Sequence, residues 1–270
     1  LHPTPPLLDA QRVVPNDAVV VELPLGTYED AAALYRSTTH GRPTVNGLSG
    51  YAPPHYQALF AALSENRADA LLAIAEFAPL MVFVNRNAAG ATLTRAVHAL
   101  PDARLLEQSA THDVLLVPRH RAVAPPRADS TSMRQVPIVT RASQAASTVQ
   151  LVADGNHRTG WLASRQQGDE ELVADLGANM SVEGIVLAQG AWPGGFPREV
   201  LVRTSGDGMT WDDAWRGELC TIAVRTAIEN ARETTMTLAF SPRAARYVQV
   251  RQVGQSREPW AVAEFSALVR

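Results

Sequence analysis

The chain has no lysine. All 24 of its basic residues are arginine, against 27 acidic residues, for a net charge of -3. GC-rich codon use accounts for this without any function; an arginine-selected binding surface is the alternative. So balanced a charge excludes a global attraction to nucleic acid or anionic membranes, and no nucleic-acid partner is expected. Cys220 is the only cysteine. That excludes an intrachain disulfide and a cysteine-rich metal site, although larger domains fold in oxidising compartments without bridges. Long hydrophobic runs are missing too. The most apolar window, residues 71–84, is interrupted by Glu76 and Pro79 and is too short to span a bilayer. No secretion signal is visible, and a start at Leu1 rather than Met reads as processed or truncated. The chain also lacks a glycine-rich phosphate loop, an HExxH and a GxSxG. Its carboxylates are scattered and define no glycosidase pair, so no catalytic residue is assigned.

What is present divides into two halves of different character. In the first, buried-strand runs at 18–23 (AVVVEL) and 80–84 (LMVFV) alternate with helical stretches at 28–36, 54–62, 68–77 and 89–100. Two closing strands, 104–108 and 114–117, flank a turn near Thr111, His112 and Asp113. Helices between buried strands predict a layered α/β domain over 1–120. Residues 121–137 are rich in proline, alanine and serine and read as a linker. From 138 to 270, short strands punctuated by Gly, Asp and Pro predict an all-β sandwich: 172–175, 182–187, 199–204, 234–240, 247–253 and 261–268. All five tryptophans lie in this half.

That half carries four landmarks in order. They are DGNHRTGW at 154–161, DLG at 175–177, SGDGMTW at 205–211, and Ala263-Glu264-Phe265 near the end. Together they resemble the discoidin domain, also called the F5/8 type C domain or family 32 carbohydrate-binding module. The resemblance covers about half the chain and implies a discoidin-like jelly-roll sandwich that binds carbohydrate or glycolipid without catalysis. It also implies a structural calcium held by Asp154, Asn156, Thr159 and Glu264. Such an ion wants six to eight oxygens, carboxylates and carbonyls mixed. The alternative is a turn satisfied by its own hydrogen bonds. Trp161 and Trp211 read as core. Trp192, in the segment 189–196, and Arg257 and Trp260, in the polar run 255–260, sit in expected loops. Their rings and guanidinium suit the C–H faces and hydroxyls of a sugar. Packing is the competing role for Trp192.

In the first half, Val21-Glu22-Leu23-Pro24 precedes a polar, aromatic stretch, YRSTTHGRPTVNGLSGY at 35–51. This is similar to a segment in the soluble tails of bacterial multi-membrane-spanning glycosyltransferase-like proteins, where a tyrosine stands at the position of Leu48. The resemblance implies an extracytoplasmic region attached to a membrane-embedded parent, with the parent's transmembrane region as partner and a lipid-linked sugar as a further ligand. Glu22, His40, Arg42, Asn46, Tyr51 and His55 are candidates to line one pocket at the carboxyl ends of the strands. There Arg42 would grip an anion and His40 with Glu22 would form an acid/base pair, as in a polysaccharide hydrolase. The alternative is a loop knitted by its own hydrogen bonds, with Arg42 paired to Glu22. A purely structural scaffold is the third reading.

Overall fold

The computed structural model describes residues 14–120, 134–137 and 139–270. The chain divides into two compact units, Leu1–Ala122 and Val123–Arg270.

The first unit is built on a four-stranded mixed sheet. Its strands are β1 (Val19–Leu23), β2 (Leu80–Asn85), β3 (Arg104–Gln108) and β4 (His112–Val117), in the order β1-β2-β4-β3. β1 and β2 are parallel, while β4 runs antiparallel to both β2 and β3. The parallel pair needs a long crossover, and α1 (Thr27–His40), α2 (Pro54–Leu63) and α3 (Leu71–Ala75) supply it. Helix α4 (Arg86–His98) follows β2 and is broken at Gly90. Apolar residues alternate onto one sheet face, where Val14, Ala18, Val20, Met81, Phe83 and Val114 form a buried cluster.

Two sequence expectations need adjustment here. Residues 68–70 form a 3-10 turn that only then passes into α3, which ends at Ala75. The turn expected at 111–113 lies earlier, because β4 already starts at His112.

The second unit opens with β5 (Arg134–Pro137) and β6 (Val139–Ala142). Residues 134–137 were expected to be linker. Instead they pair with β13 (Glu264–Val269), so the sandwich begins before residue 138. Residues 121–133 of the expected linker lie outside the described ones.

Two 18-residue strands, β8 (Glu171–Ala188) and β11 (Thr235–Gln252), organise the sandwich. The sequence reads each as two strands with a turn between. The structure makes each one continuous strand, bent where the ladder slips, after Ala239 and after Ala245. Exposed residues 177–179 mark the bend in β8. Before its bend β8 pairs with β6 and the end of β11; beyond it, with β13 and the start of β11. Bent strands of this kind turn corners between packed sheets. β9 (Glu199–Ser205) and β10 (Asp212–Glu218) extend one edge, and β7 (Trp161–Gln166) pairs with β12 (Ser256–Val262).

One element falls outside the all-β expectation. Helix α5 (Cys220–Glu229) buries Cys220, Ala223, Val224 and Ala227 along one face.

Candidate functional site

The DGN turn at 154–159 is held together from within. Asp154 Oδ1 accepts the Asn156 N–H at 2.9 Å, and Asp154 Oδ2 accepts the Thr159 hydroxyl at 2.7 Å. The Asn156 carbonyl accepts the Thr159 N–H at 3.0 Å, while its side-chain Oδ1 caps the Arg158 N–H at 3.1 Å. These are the Asx-type bonds expected of such a turn. They leave buried polar atoms unanswered, among them His157 Nδ1 in the turn itself. Glu264, on β13, comes up against Asp154, and its Oε1 is buried with no hydrogen-bond partner. The two carboxyls respond in opposite directions. The Thr159 hydroxyl chiefly holds Asp154 below the usual carboxylate range. Burial, and then the Asp154 charge, push Glu264 up.

The neighbouring segment 189–195 is fastened to this turn by the Ala191 N–H, which donates to the His157 carbonyl at 3.2 Å. Two glycines make the contact possible. A Cβ at Gly190 would stand 2.1 Å from the His157 carbonyl oxygen, in a backbone with φ +53°. A Cβ at Gly160 would stand 2.6 Å from the Val262 carbonyl oxygen and 2.8 Å from the Trp192 ring. Trp192 therefore lies across Gly160, half-buried, beside the exposed turn.

The other two candidate ligand residues do not join it. Trp260 is fully buried and meets Trp161 edge-on, so it is a core residue and not a stacking platform; this corrects the sequence assignment. The run 255–260 was expected to be a loop, but its residues from Ser256 onward are strand β12. Arg257 is exposed there, beside Ser256, which pairs with Gln166. Gly160 lies at the other end of that ladder, next to the Trp161–Val262 pair. The structure thus sets Arg257 and Trp192 at opposite ends of β12 and gathers Trp192 with Asp154, Thr159 and Glu264. Trp161 is buried as expected and donates its indole N–H to the Gln144 carbonyl at 2.8 Å.

In the first unit, β1 is an edge strand, and the segment after α1 completes it. The Val20 N–H donates to the Pro43 carbonyl at 2.8 Å, and the Val45 N–H donates to the Val20 carbonyl at 2.9 Å. At the next rung a side chain takes over. Asn46 Oδ1 accepts the Glu22 N–H at 2.8 Å, and Asn46 Nδ2 donates to the Glu22 carbonyl at 2.9 Å. Asn46 Nδ2 also donates to Asp30 Oδ1 at 2.8 Å, and Tyr56 donates its hydroxyl to Asp30 Oδ2. Burial and Asp30 together push the Tyr56 hydroxyl well above its usual range.

Arg42 does not pair with Glu22, as one reading expected. Its guanidinium reaches the Pro15 and Val14 carbonyls. Arg36 takes the Glu22 role instead, donating from Nε to Oε2 at 2.8 Å. Arg36 sits four residues before His40 on α1, a spacing that puts both on one helix face. Tyr51 is 68% exposed and does not join the buried groups. Burial holds the His55 imidazole below its usual value.

Similar solved structures include chitosan-binding module 1 of a chitosanase/glucanase from Paenibacillus sp. IK-5, at 17% identity over 49% of this chain and 95% of that one, with TM-score 0.38. Another is the family 32 carbohydrate-binding module of NanJ from C. perfringens in complex with galactose, at 15% identity over 50% and 98%, with TM-score 0.40. A third is the CBM32 of AlyQ in complex with 4,5-unsaturated mannuronic acid, at 18% identity over 50% and 97%, with TM-score 0.38. No curated protein matches the chain. Residues 132–265 match the family described as F5/8 type C domain, and this half of the chain is an F5/8 type C domain with a discoidin-like β-sandwich.

Proposed function

We propose that the C-terminal unit is a non-catalytic carbohydrate-binding module. The observation that carries this reading is the place of Trp192. Its ring lies over Gly160 at the loop end, half-buried, beside the exposed polar groups of the 154–159 turn. A half-buried ring suits the C–H face of a sugar, and the turn offers hydrogen-bonding partners next to it.

Calcium belongs to the same reading, as a structural ion beside the sugar site. The residues fit it. Two carboxylates meet, and the buried Glu264 Oε1 lacks a partner that a cation would supply. Thr159 Oγ1 and the turn carbonyls are further oxygens. Among the described residues no group of three or more His, Cys, Asp and Glu could hold a metal. The site would therefore be mostly hydroxyl and carbonyl oxygen around two carboxylates, a donor set that suits a hard cation rather than zinc.

The reading extends to the parent protein on the N-terminal resemblance alone. There the chain is the extracytoplasmic part of a membrane glycosyltransferase-like protein, facing a lipid-linked or polymeric sugar. Among the described residues no helix is long and apolar enough to cross a membrane. The transmembrane partner would then lie in other parts of that protein.

The test is a bacterial glycan array followed by calorimetric titration of the intact chain. Trp192→Ala should abolish the glycan-induced rise in the sandwich's melting temperature and leave the melting curve without glycan in place. Absence of any glycan ligand, or a glycan-induced rise that survives the substitution, would sink the reading.

A further inference from the structure

Among the described residues of the first unit, Glu22 and His40 each hold a buried hydrogen-bonding atom without a partner. Glu22 is 3% exposed, and Arg36 engages only its Oε2; Oε1 has no partner. His40 Nε2 is likewise buried without a partner. The state of the imidazole follows from its other nitrogen. His40 Nδ1 accepts the Arg42 N–H at 3.0 Å, so in the neutral ring the proton sits on Nε2. Burial, more than any neighbouring charge, favours that neutral ring. One unanswered atom is thus a carboxylate acceptor and the other an N–H donor.

The two residues are neighbours, close enough for the Glu22 charge to act on the His40 ring. Arg36 and His40 share a face of α1, and Arg36 lies on Glu22. Asn46 fixes the Glu22 backbone at its N–H and carbonyl, and Arg36 holds its side chain at Oε2. Glu22 is the fourth of the five residues of β1, towards the carboxyl end of the parallel β1–β2 pair, where open α/β sheets receive ligands.

The chemistry narrows the ligand. A hydroxyl group meets both needs at once, donating its proton to Oε1 and accepting from Nε2–H. The two arginines that act on His40 are already engaged: Arg36 holds Glu22, and Arg42 donates to the Pro15 and Val14 carbonyls. An anion would face the Glu22 carboxylate. A metal would find a protonated nitrogen.

We propose that Glu22 Oε1 and His40 Nε2 form a hydroxyl-binding pair for a neutral polyhydroxylated ligand, the chemistry of a sugar unit. This site lies in the first unit and does not depend on the sandwich reading.

The experiment follows the His40 imidazole signals of the intact chain by long-range proton–nitrogen correlation. The probes are the methyl glycosides of glucose, galactose, mannose and arabinose. In the free chain His40 should show the Nε2–H tautomer. At least one probe should shift its signals saturably. The shift should persist in Trp192→Ala, which separates this site from the sandwich. Glu22→Gln should weaken that binding about 10- to 100-fold, the loss of a hydrogen bond to a charged group. If Glu22→Gln fails to fold, His40→Phe replaces it, with binding read from saturation transfer to the probe. Signals unmoved by all four probes would mean that water or Glu22 itself answers Nε2, and would overturn the proposal. So would an Nδ1–H tautomer, or undiminished binding in the variant used.

Discussion

Trp260 meets Trp161 edge-to-face, with ring centroids 5.0 Å apart and an interplanar angle of 88°. Both rings are fully buried. Edge-to-face pairs of this kind add to the burial of the rings themselves. Trp260→Ala should therefore cost about 3–5 kcal/mol of sandwich stability, as large-to-small core substitutions do. A lowered denaturation midpoint with unchanged slope is the expected result. A melting curve like that of the native chain would return Trp260 to the surface.

The Asp154–Glu264 pair gives a signature in pH. In the presence of chelator, burial and the Asp154 charge make Glu264 hold its proton more tightly in the folded chain than in the unfolded one. The native state then binds more protons over that interval. Stability should fall as pH rises from the ordinary Glu value of 4.5 through the raised one. Asp154 has the opposite slope: its contribution is present above the ordinary 3.8 and fades on acidification. Excess calcium binds the ionised pair, so its affinity should grow with pH and reverse the Glu264 slope. Melting temperature against pH, with calcium and with chelator, reads this directly. Identical curves would remove calcium from the reading.

Asp207 makes a separate acid-side prediction. Its Oδ1 accepts the N–H groups of Met209 and Thr210, both at 2.8 Å, in the turn between β9 and β10. Those amides, Thr210 foremost, hold its carboxyl down at about 2. The turn's stabilisation is complete above the ordinary 3.8 and should be lost as pH falls towards about 2. Carboxyl chemical shifts should titrate Asp207 well below the other exposed aspartates. A midpoint at the ordinary value would mean that the two amides do not engage it.

Much of this was legible in the sequence, for identifiable reasons. The strands around Val21 and Val82 are fully buried runs, and the residue type alone marks them. The turn bonds of Asp154, Asn156 and Thr159 follow from short polar side chains that bond their own backbone. Helix α5 was missed although Cys220, Ala223, Val224 and Ala227 repeat at helical spacing; its all-β neighbourhood masked the period. The run before Trp260 misled for a physical reason. It is polar and contains a proline, yet Pro259 sits where the β7–β12 ladder slips, a position that tolerates proline in a strand. The partner of Glu22 was not legible from charge, because Arg36 and Arg42 are the same residue type. Only the fold decides that Arg42 turns to the Pro15 carbonyl.

Asn46 offers the sharpest test of the first unit, because its amide stands in for a peptide group at the open edge of β1. It is 2% exposed, and both ends of the amide are used. Asn46→Ala leaves the Glu22 N–H and carbonyl and one Asp30 oxygen without that partner. Each buried group left unpaired costs about 1–3 kcal/mol. Asn46→Asp keeps the shape and the acceptor for the Glu22 N–H but loses the donor and sets a second carboxyl against Asp30. Burial and the Asp30 charge should raise the pKa of the new group. Its folded value then exceeds its unfolded one, so the variant should lose stability as pH rises through that raised titration. The alanine variant, without a carboxyl there, should lack this added pH dependence. Denaturation of the two variants at mildly acidic and neutral pH separates them. If Asn46→Asp matched the native chain at both, the amide would not be closing the edge of β1.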